Sequence, residues 1–563
     1  MRTSRRIWII LLILALAACQ ASVPLSVAPT TSPTETVGVL ATPTASPSPE
    51  PSVTPSPFPP ATQTPTLSIP TATQTPLHLV EAGNNFKLRW HPDGPLYVGD
   101  QLSLEVIPPP QAAAALQGKT LQVQATTLDG LKTLGTAPFS SFGLGERLQA
   151  TLWWFWDTHG LEAGTYDLTL SIEPGGETWQ TQVTLLPAAD LPSAEADAQW
   201  LTAESQCCEL HYISGTDAAR DIEKLKVMAD QQADDVSQKF GVKLDEKIPV
   251  VFIPRVLGHS GFTAEEIAVS YLDRNYAGAA TALVLHHEMV HWVDGKLGGD
   301  LRPSILVEGL AVYLTGGHFK PEPLIPRAAA LLPPSPGCIP ANPESPPPLA
   351  DNGKPAPPAC SLDRYIPLAQ LASDFYPSQH EIGYLEAGSL VEYMVQTWGW
   401  PAFNDFYRDI HAPQGTPQPG APVQLLNVQA IDTALQKHFN ITFAELEEGF
   451  LSTLSKQAVT SDLVEDVRLS VAYYDTMRRY QQLLDPSAYF LYAWLADTVE
   501  MRKRGITADF LRHPDAPENV VLENMFVDAD AALRAADYAQ TDRLLKVINQ
   551  YLDHVQSGDQ NAY

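Results

Sequence analysis

The segment His287-Glu288-Met289-Val290-His291 sets two imidazoles four residues apart, with a carboxylate beside the first. On a helix, positions i and i+4 share one face, so both rings can turn a nitrogen toward a single cation. Glu288 sits beside them, placed to take a proton from a water that the cation activates rather than to bind the cation itself. Seventeen positions after His291 comes Glu308, inside Leu306-Val307-Glu308-Gly309-Leu310-Ala311. Two histidines, a third donor and a free carboxylate make one zinc site's ligand set with a general base, the equipment of metal-assisted hydrolysis.

The flanking residues say how such a set is held. A surface helix that merely carries two histidines has polar neighbours, whereas Ala279-Ala280-Thr281-Ala282-Leu283-Val284-Leu285 runs straight into the motif and predicts a largely buried helix. Buried imidazoles and a buried carboxylate need partners, and a metal supplies one for all three. Gly295 or Gly298-Gly299 suits the C-terminal cap. A second helix is expected after Arg302-Pro303-Ser304, since proline fits a first turn. Glu308 falls about a turn into that helix, and Ala311 and Leu314 continue its apolar face.

An HExxH helix followed by a helix bearing Glu308-Gly309-Leu310-Ala311 resembles the gluzincin clan of zinc peptidases (peptidase MA-like), which includes thermolysin and the zinc aminopeptidases. The resemblance covers residues 195–455. It implies Zn2+ held by His287, His291 and Glu308, a fourth position left for water, Glu288 as general base, and a peptide or protein substrate. Val307 stands where those families often have asparagine, so no role in binding a substrate amine is carried over to it. The segment Tyr384-Leu385-Glu386-Ala387-Gly388 opens a further helix that ends near Trp398-Gly399. It resembles the aminopeptidase segment whose tyrosine donates a hydrogen bond to the tetrahedral oxyanion, which implies that catalytic role for Tyr384. The lysine two residues later in that family is Glu386 here, and a tyrosine packing a helix start is the alternative.

Three further residues near the motif bear on it. His286 faces about 100° away from His287 on a helix and reads as a packing or outer residue. Asp294, three past His291, is expected to orient a ligand imidazole through its second nitrogen, with capping of the helix end as the alternative. His318 follows Gly316-Gly317 and reads as a loop histidine that could line the cleft.

Around this centre the pattern is mixed. Strands are expected at 208–213 and 248–253, a helix at 217–240, and a further strand at 267–272 just before the motif. In the zincin fold an edge strand at that place pairs with an extended peptide, so the resemblance implies substrate binding by backbone addition there. Residues 79–188 alternate as short strands separated by Pro92-Asp93-Gly94, Asp129-Gly130 and Pro174-Gly175-Gly176, which predicts an immunoglobulin-like β-sandwich. Its Trp153, Trp154 and Trp156 read as core packing, with a carbohydrate platform as the alternative. Residues 456–563 read as wholly helical, with amphipathic runs at 463–484, 489–504 and 528–555.

The N-terminus is basic (Met1 to Arg6), then apolar from Ile7 to Ala18, too short for a bilayer span. Leu16-Ala17-Ala18-Cys19 resembles a bacterial lipoprotein signal, which implies cleavage before Cys19 and acylation of its thiol, with an ordinary secretory signal as the alternative. Residues 1–19 would then be the signal peptide and 20–78, rich in Pro, Ser and Thr, a disordered extended linker. The expected place is extracytoplasmic, tethered to the bacterial cell membrane through the lipid anchor.

A net charge of −29 spread along the chain argues against nucleic acid and against anionic lipid surfaces. An exported chain can oxidise its remaining cysteines. Cys338 and Cys360 bracket a Pro-rich insertion and are expected to form a disulfide. Cys207-Cys208 could be a vicinal pair or pair with distal cysteines. The expected fold is thus multidomain: a β-sandwich, an α+β zincin-like peptidase domain over 195–455 and an all-α C-terminal region. The expected function is zinc-dependent peptide-bond hydrolysis. The alternative is a non-catalytic surface-binding or scaffold lipoprotein with a structural or degenerate zinc site, which an intact Glu288 disfavours because a structural site needs no base.

Overall fold

A computed structural model of the chain describes residues 80–557, apart from 83–84, 128–129, 335–360, 379–380, 414–422, 490, 493, 495–496 and 514–515. Cys19, the linker and the expected Cys338–Cys360 disulfide lie outside the described residues.

The alternating segments form strands β1 (Val80–Ala82), β2 (Phe86–His91), β3 (Leu96–Tyr97), β4 (Gln101–Ile107), β5 (Thr120–Thr127), β6 (Gly130–Phe142), β7 (Arg147–Asp157), β8 (Gly164–Glu173) and β9 (Thr178–Leu186). They are hydrogen-bonded in one continuous order, β1-β2-β4-β7-β6-β5-β8-β9-β3. The strands expected to form a β-sandwich are thus joined in a single curled sheet. The cause is the length of β6: its residues 130–138 pair with β5, and Phe139–Phe142 then pair with β7. Curling brings Leu88, Leu104, Leu121, Val123, Leu152, Leu168 and Leu170 into one core. Trp156 is buried there, while Trp153 stacks on Trp494 with ring centroids 4.0 Å apart and Trp154 packs in the same cluster. All three tryptophans therefore serve packing.

A second sheet follows, in the order β10 (Trp200–Glu204), β11 (Cys208–Ile213), β12 (Ile248–Ile253), β14 (Ile267–Ser270), β13 (Gly261–Thr263). β11, β12 and β14 run parallel, whereas the outer strands β10 and β13 are antiparallel to their neighbours. The strand before the motif is therefore internal, and the edge is the three-residue β13, which its Gly-Phe-Thr sequence does not announce. Cys207 and Cys208 are joined as a vicinal disulfide at the start of β11.

Helix α1 (Asp217–Phe240) buries Ala218, Leu225, Ala229, Ala233 and Val236 at helical spacing and stops at left-handed Gly241. Helices α2 (Thr281–Leu297), α3 (Ser304–Thr315) and α4 (Glu381–Trp398) complete this layer. α2 ends at Gly298, and Pro303 is the N-cap of α3. Sheet residues Val250, Phe252, Ile267 and Val269 share one core with Leu285 and Met289 of α2, Leu306 and Leu310 of α3, and Leu385 and Leu390 of α4.

The crossing of α3 and α4 depends on missing side chains. A Cβ on Gly309 would stand 2.5 Å from the Ala387 carbonyl oxygen, and one on Gly388 would stand 2.5 Å from Val312 Cγ1. Backbone cannot retreat as a flexible side chain can, so Gly309→Ala is expected to destabilise the fold by about 1–3 kcal/mol. Thermal unfolding of the metal-free protein measures this, and because Gly309 follows Glu308 the variant should also weaken metal binding.

The C-terminal region is helical but more broken than its periodicity suggests. Helix α5 (Ser461–Leu484) is continuous, the expected 489–504 helix contracts to Thr498–Arg504, and the expected 528–555 run is two helices, α6 (Pro517–Arg534) and α7 (Tyr538–Ser557). The break carries neither Gly nor Pro; Ala536 takes a left-handed φ of 57° instead. α5 contributes Val464, Val467 and Val471 to the core beneath the second sheet and Tyr473, Tyr474 and Met477 to a further core with α6 and α7. Arg255, almost wholly buried, ties the three regions, pairing with Asp93 at 2.8 Å and Asp485 at 2.9 Å. Such a buried cation between two carboxylates costs little only while the set is complete.

Candidate metal centre

His287 and His291 project from one face of α2 toward α3, which delivers Glu308. The two Nε2 atoms are 3.0 Å apart, and Glu308 Oε2 lies 3.3 Å from one and 3.2 Å from the other. Among the described residues this is the one group of three whose ligand atoms converge in this way. A tetrahedral zinc at about 2.0–2.1 Å from each ligand needs ligand atoms about 3.3 Å apart, so the triangle fits the ion.

The electrostatics also fit. Burial pushes the His287 imidazole down to about 4, so this ring is neutral and able to ligate. Burial would lower His291 too, but Glu308, Glu288 and Asp294 outweigh it and push that ring up to about 9. Burial likewise works to raise the Glu308 carboxyl, yet His291 and His287 hold it well below the usual carboxylate range. The carboxylates thus call for positive charge at the triangle, and a divalent cation would supply it with both rings neutral.

Glu288 is buried beside the triangle and outside it, and burial pushes its carboxyl up to about 7. Thr263 of the edge strand holds it, its hydroxyl 2.7 Å from Oε2. β13 can cross α2 this closely because position 261 is glycine: a Cβ there would lie 2.6 Å from Val284 Cγ1 and 2.8 Å from Glu288 Oε1. The strand that sequence reading missed therefore abuts Glu288.

Tyr384, near the start of α4, is buried and its ring lies edge-on to His287 with centroids 6.5 Å apart. Burial, reinforced by Glu308 and Glu288, raises its phenol well above the ordinary value, so it is a hydrogen-bond donor at any working pH. It stacks on His318 at 4.0 Å. His318 is thus a buried member of the cleft rather than a plain loop residue; Glu381, on α4 one turn before Tyr384, binds its Nδ1 at 2.5 Å. Burial would lower His318, but Glu381 raises it instead.

Asp294 does not take the expected place behind an imidazole. It is ion-paired with Arg408 at 2.7 Å and with Arg302, accepts the Tyr407 hydroxyl at 2.9 Å, and so pins the end of α2 to the following loop and to the 400–408 helix. His286 turns away from the triangle, bonding Thr315 at 2.9 Å and Asp235 at 2.7 Å, which fastens α2 to α3 and α1. Sequence reading also missed Tyr376, whose hydroxyl donates to Glu308 Oε1 at 2.5 Å. No spacing could have found it, because the contact spans 68 positions and the residue sits in a helix of only four residues, Phe375–Ser378.

No protein-family model matches this chain. No curated protein sequence matches it either. Among solved structures, it is similar to a glutamate-to-alanine mutant of an M1 zinc metallopeptidase from Deinococcus radiodurans, with 14% identity, a TM-score of 0.24, and coverage of 61% of this chain and 63% of that one. A two-domain M1 zinc metallopeptidase mutant bound to L-arginine gives 14% identity, a TM-score of 0.24, and coverage of 61% and 62%. The chain thus spans less than two thirds of those enzymes, and the functional reading stands on its own side chains.

Proposed function

We propose that this chain is a zinc metallopeptidase of gluzincin type that hydrolyses peptide bonds at the outer face of a bacterial membrane. The observation that carries the reading is the triangle of His287, His291 and Glu308, with Glu288 left free beside it. A zinc ion held by those three would polarise a carbonyl and bring the pKa of a ligated water toward about 7. The residues do the rest. Glu288, lifted toward neutrality by burial, takes a proton at its carboxylate from the attacking water and can return it to the leaving amine. Thr263 holds that carboxylate in place for both transfers. Tyr384 donates to the substrate oxygen as negative charge builds there. The outer edge of β13 suits an extended peptide laid antiparallel to it, beside the base.

Zinc content of the purified protein, with cleavage of a fluorogenic peptide library with and without chelator, tests the proposal. A stoichiometric metal without chelator-sensitive cleavage would favour a scaffold. Tyr384→Phe is expected to lower kcat by about 10²–10³-fold with KM little changed, as for loss of one oxyanion donor. Steady-state kinetics on the metal-loaded variant checks this.

The surface location rests on the lipobox-like Leu16-Ala17-Ala18-Cys19 and the Pro-, Ser- and Thr-rich stretch after it. In this reading Cys19 is acylated and residues 20–78 space the folded part from the bilayer. Among the described residues no helix is long and apolar enough to cross a membrane.

A further inference from the structure

Glu308 presents its two carboxylate oxygens to different partners. Oε2 faces the imidazole nitrogens at 3.2 and 3.3 Å, while Oε1 accepts the Tyr376 hydroxyl at 2.5 Å. A carboxylate free to rotate can offer a cation one oxygen or both, and the choice decides whether a three-ligand site keeps one open position or loses it. An oxygen already holding a short hydrogen bond to a phenol is a poor second ligand.

The phenol is itself held. Phe375 beside it is buried and packs edge-on against both Tyr376 (5.3 Å) and Tyr384 (5.4 Å). The stretch of chain leading here is tied down in turn. Leu362 N donates to Ala330 O at 2.7 Å, Ile366 N to Glu386 Oε1 at 2.9 Å, and Tyr365 OH to Glu447 Oε1 at 3.0 Å. Glu386, which replaces the lysine of the aminopeptidase segment, thus anchors this strap rather than meeting substrate.

We infer that Tyr376 is the positioning residue of the metal centre, keeping Glu308 bound through Oε2 alone and so reserving a coordination place for water. The inference rests on the zinc-site reading but not on the peptidase reaction. Hydrogen-bonded partners of metal ligands are worth about 10–100-fold in metal affinity.

The test compares parent and Tyr376→Phe for zinc affinity, by competition with a chromogenic chelator, and for the visible spectrum at saturating cobalt. Tyr376→Phe keeps the ring and its packing but frees Oε1. Its zinc affinity should fall about 10–100-fold, and its cobalt bands should weaken and shift as a four-coordinate ion gains a fifth donor. Melting of the metal-free proteins separates this from a folding defect: equal midpoints with altered spectra support the role. An unchanged spectrum at saturating cobalt overturns it, whatever the melting temperature. Should the parent bind zinc tightly yet cleave no peptide, while Tyr376→Phe still shows both changes, the positioning role stands and the reaction assignment falls.

Discussion

Glu288→Gln is expected to keep a full complement of zinc and to lose about 10²–10⁴-fold in kcat/KM on any peptide the parent cleaves. The separation of these two effects is what the geometry demands. A glutamine side chain has nearly the shape of the carboxylate it replaces. It would still accept the Thr263 hydroxyl and would leave the 3.0–3.3 Å triangle of His287, His291 and Glu308 untouched. It has no oxygen able to take a proton near neutral pH. Metal analysis of the dialysed variant and kinetics on a fluorogenic peptide supply the two numbers. A glutamine variant that cleaves as fast as the parent would falsify the general-base role. One that loses zinc would instead mean that Glu288 binds the metal.

The features legible in the sequence are those whose partners lie within a helical turn or along one strand. His287 and His291 are four apart, and α1, β11 and β12 have the bounds that their apolar periodicity suggests. What escaped was set by contacts that no local spacing encodes. Thr263 reaches Glu288 across 25 positions, Glu381 reaches His318 across 63, and Tyr376 reaches Glu308 across 68. β13 is three residues long and shows no alternation, so periodicity finds only the neighbouring, more apolar β14, which the resemblance then implies as the edge. Asp294 illustrates the opposite error. Three residues from His291 it is well placed to support an imidazole, yet Arg302, Arg408 and Tyr407 arrive from elsewhere in the chain and claim both of its oxygens. Alternation located the strands of the N-terminal region, but a single curled sheet follows from the 13-residue length of β6, which only pairing reveals.

Removing the proposed zinc should have a comparable or larger effect. The ion is asked for several kcal/mol of transition-state stabilisation, so chelation, or Glu308→Ala, is expected to cost at least about 10³-fold in cleavage rate. Zinc should restore the chelated parent but not the Glu308→Ala variant, because an alanine there opens one corner of the triangle. Stability provides a second, independent reading. Zinc that binds the folded chain alone adds RT ln(1 + [Zn]/Kd), about 2.7 kcal/mol at a free concentration of 100 Kd. The parent and Glu288→Gln should therefore both melt higher with zinc, whereas Glu308→Ala should gain little. That pattern tells metal binding apart from proton transfer in one set of melting curves. If instead all three proteins respond alike to zinc, the cation sits elsewhere, and the convergence of two imidazoles and a carboxylate on one point needs another cause.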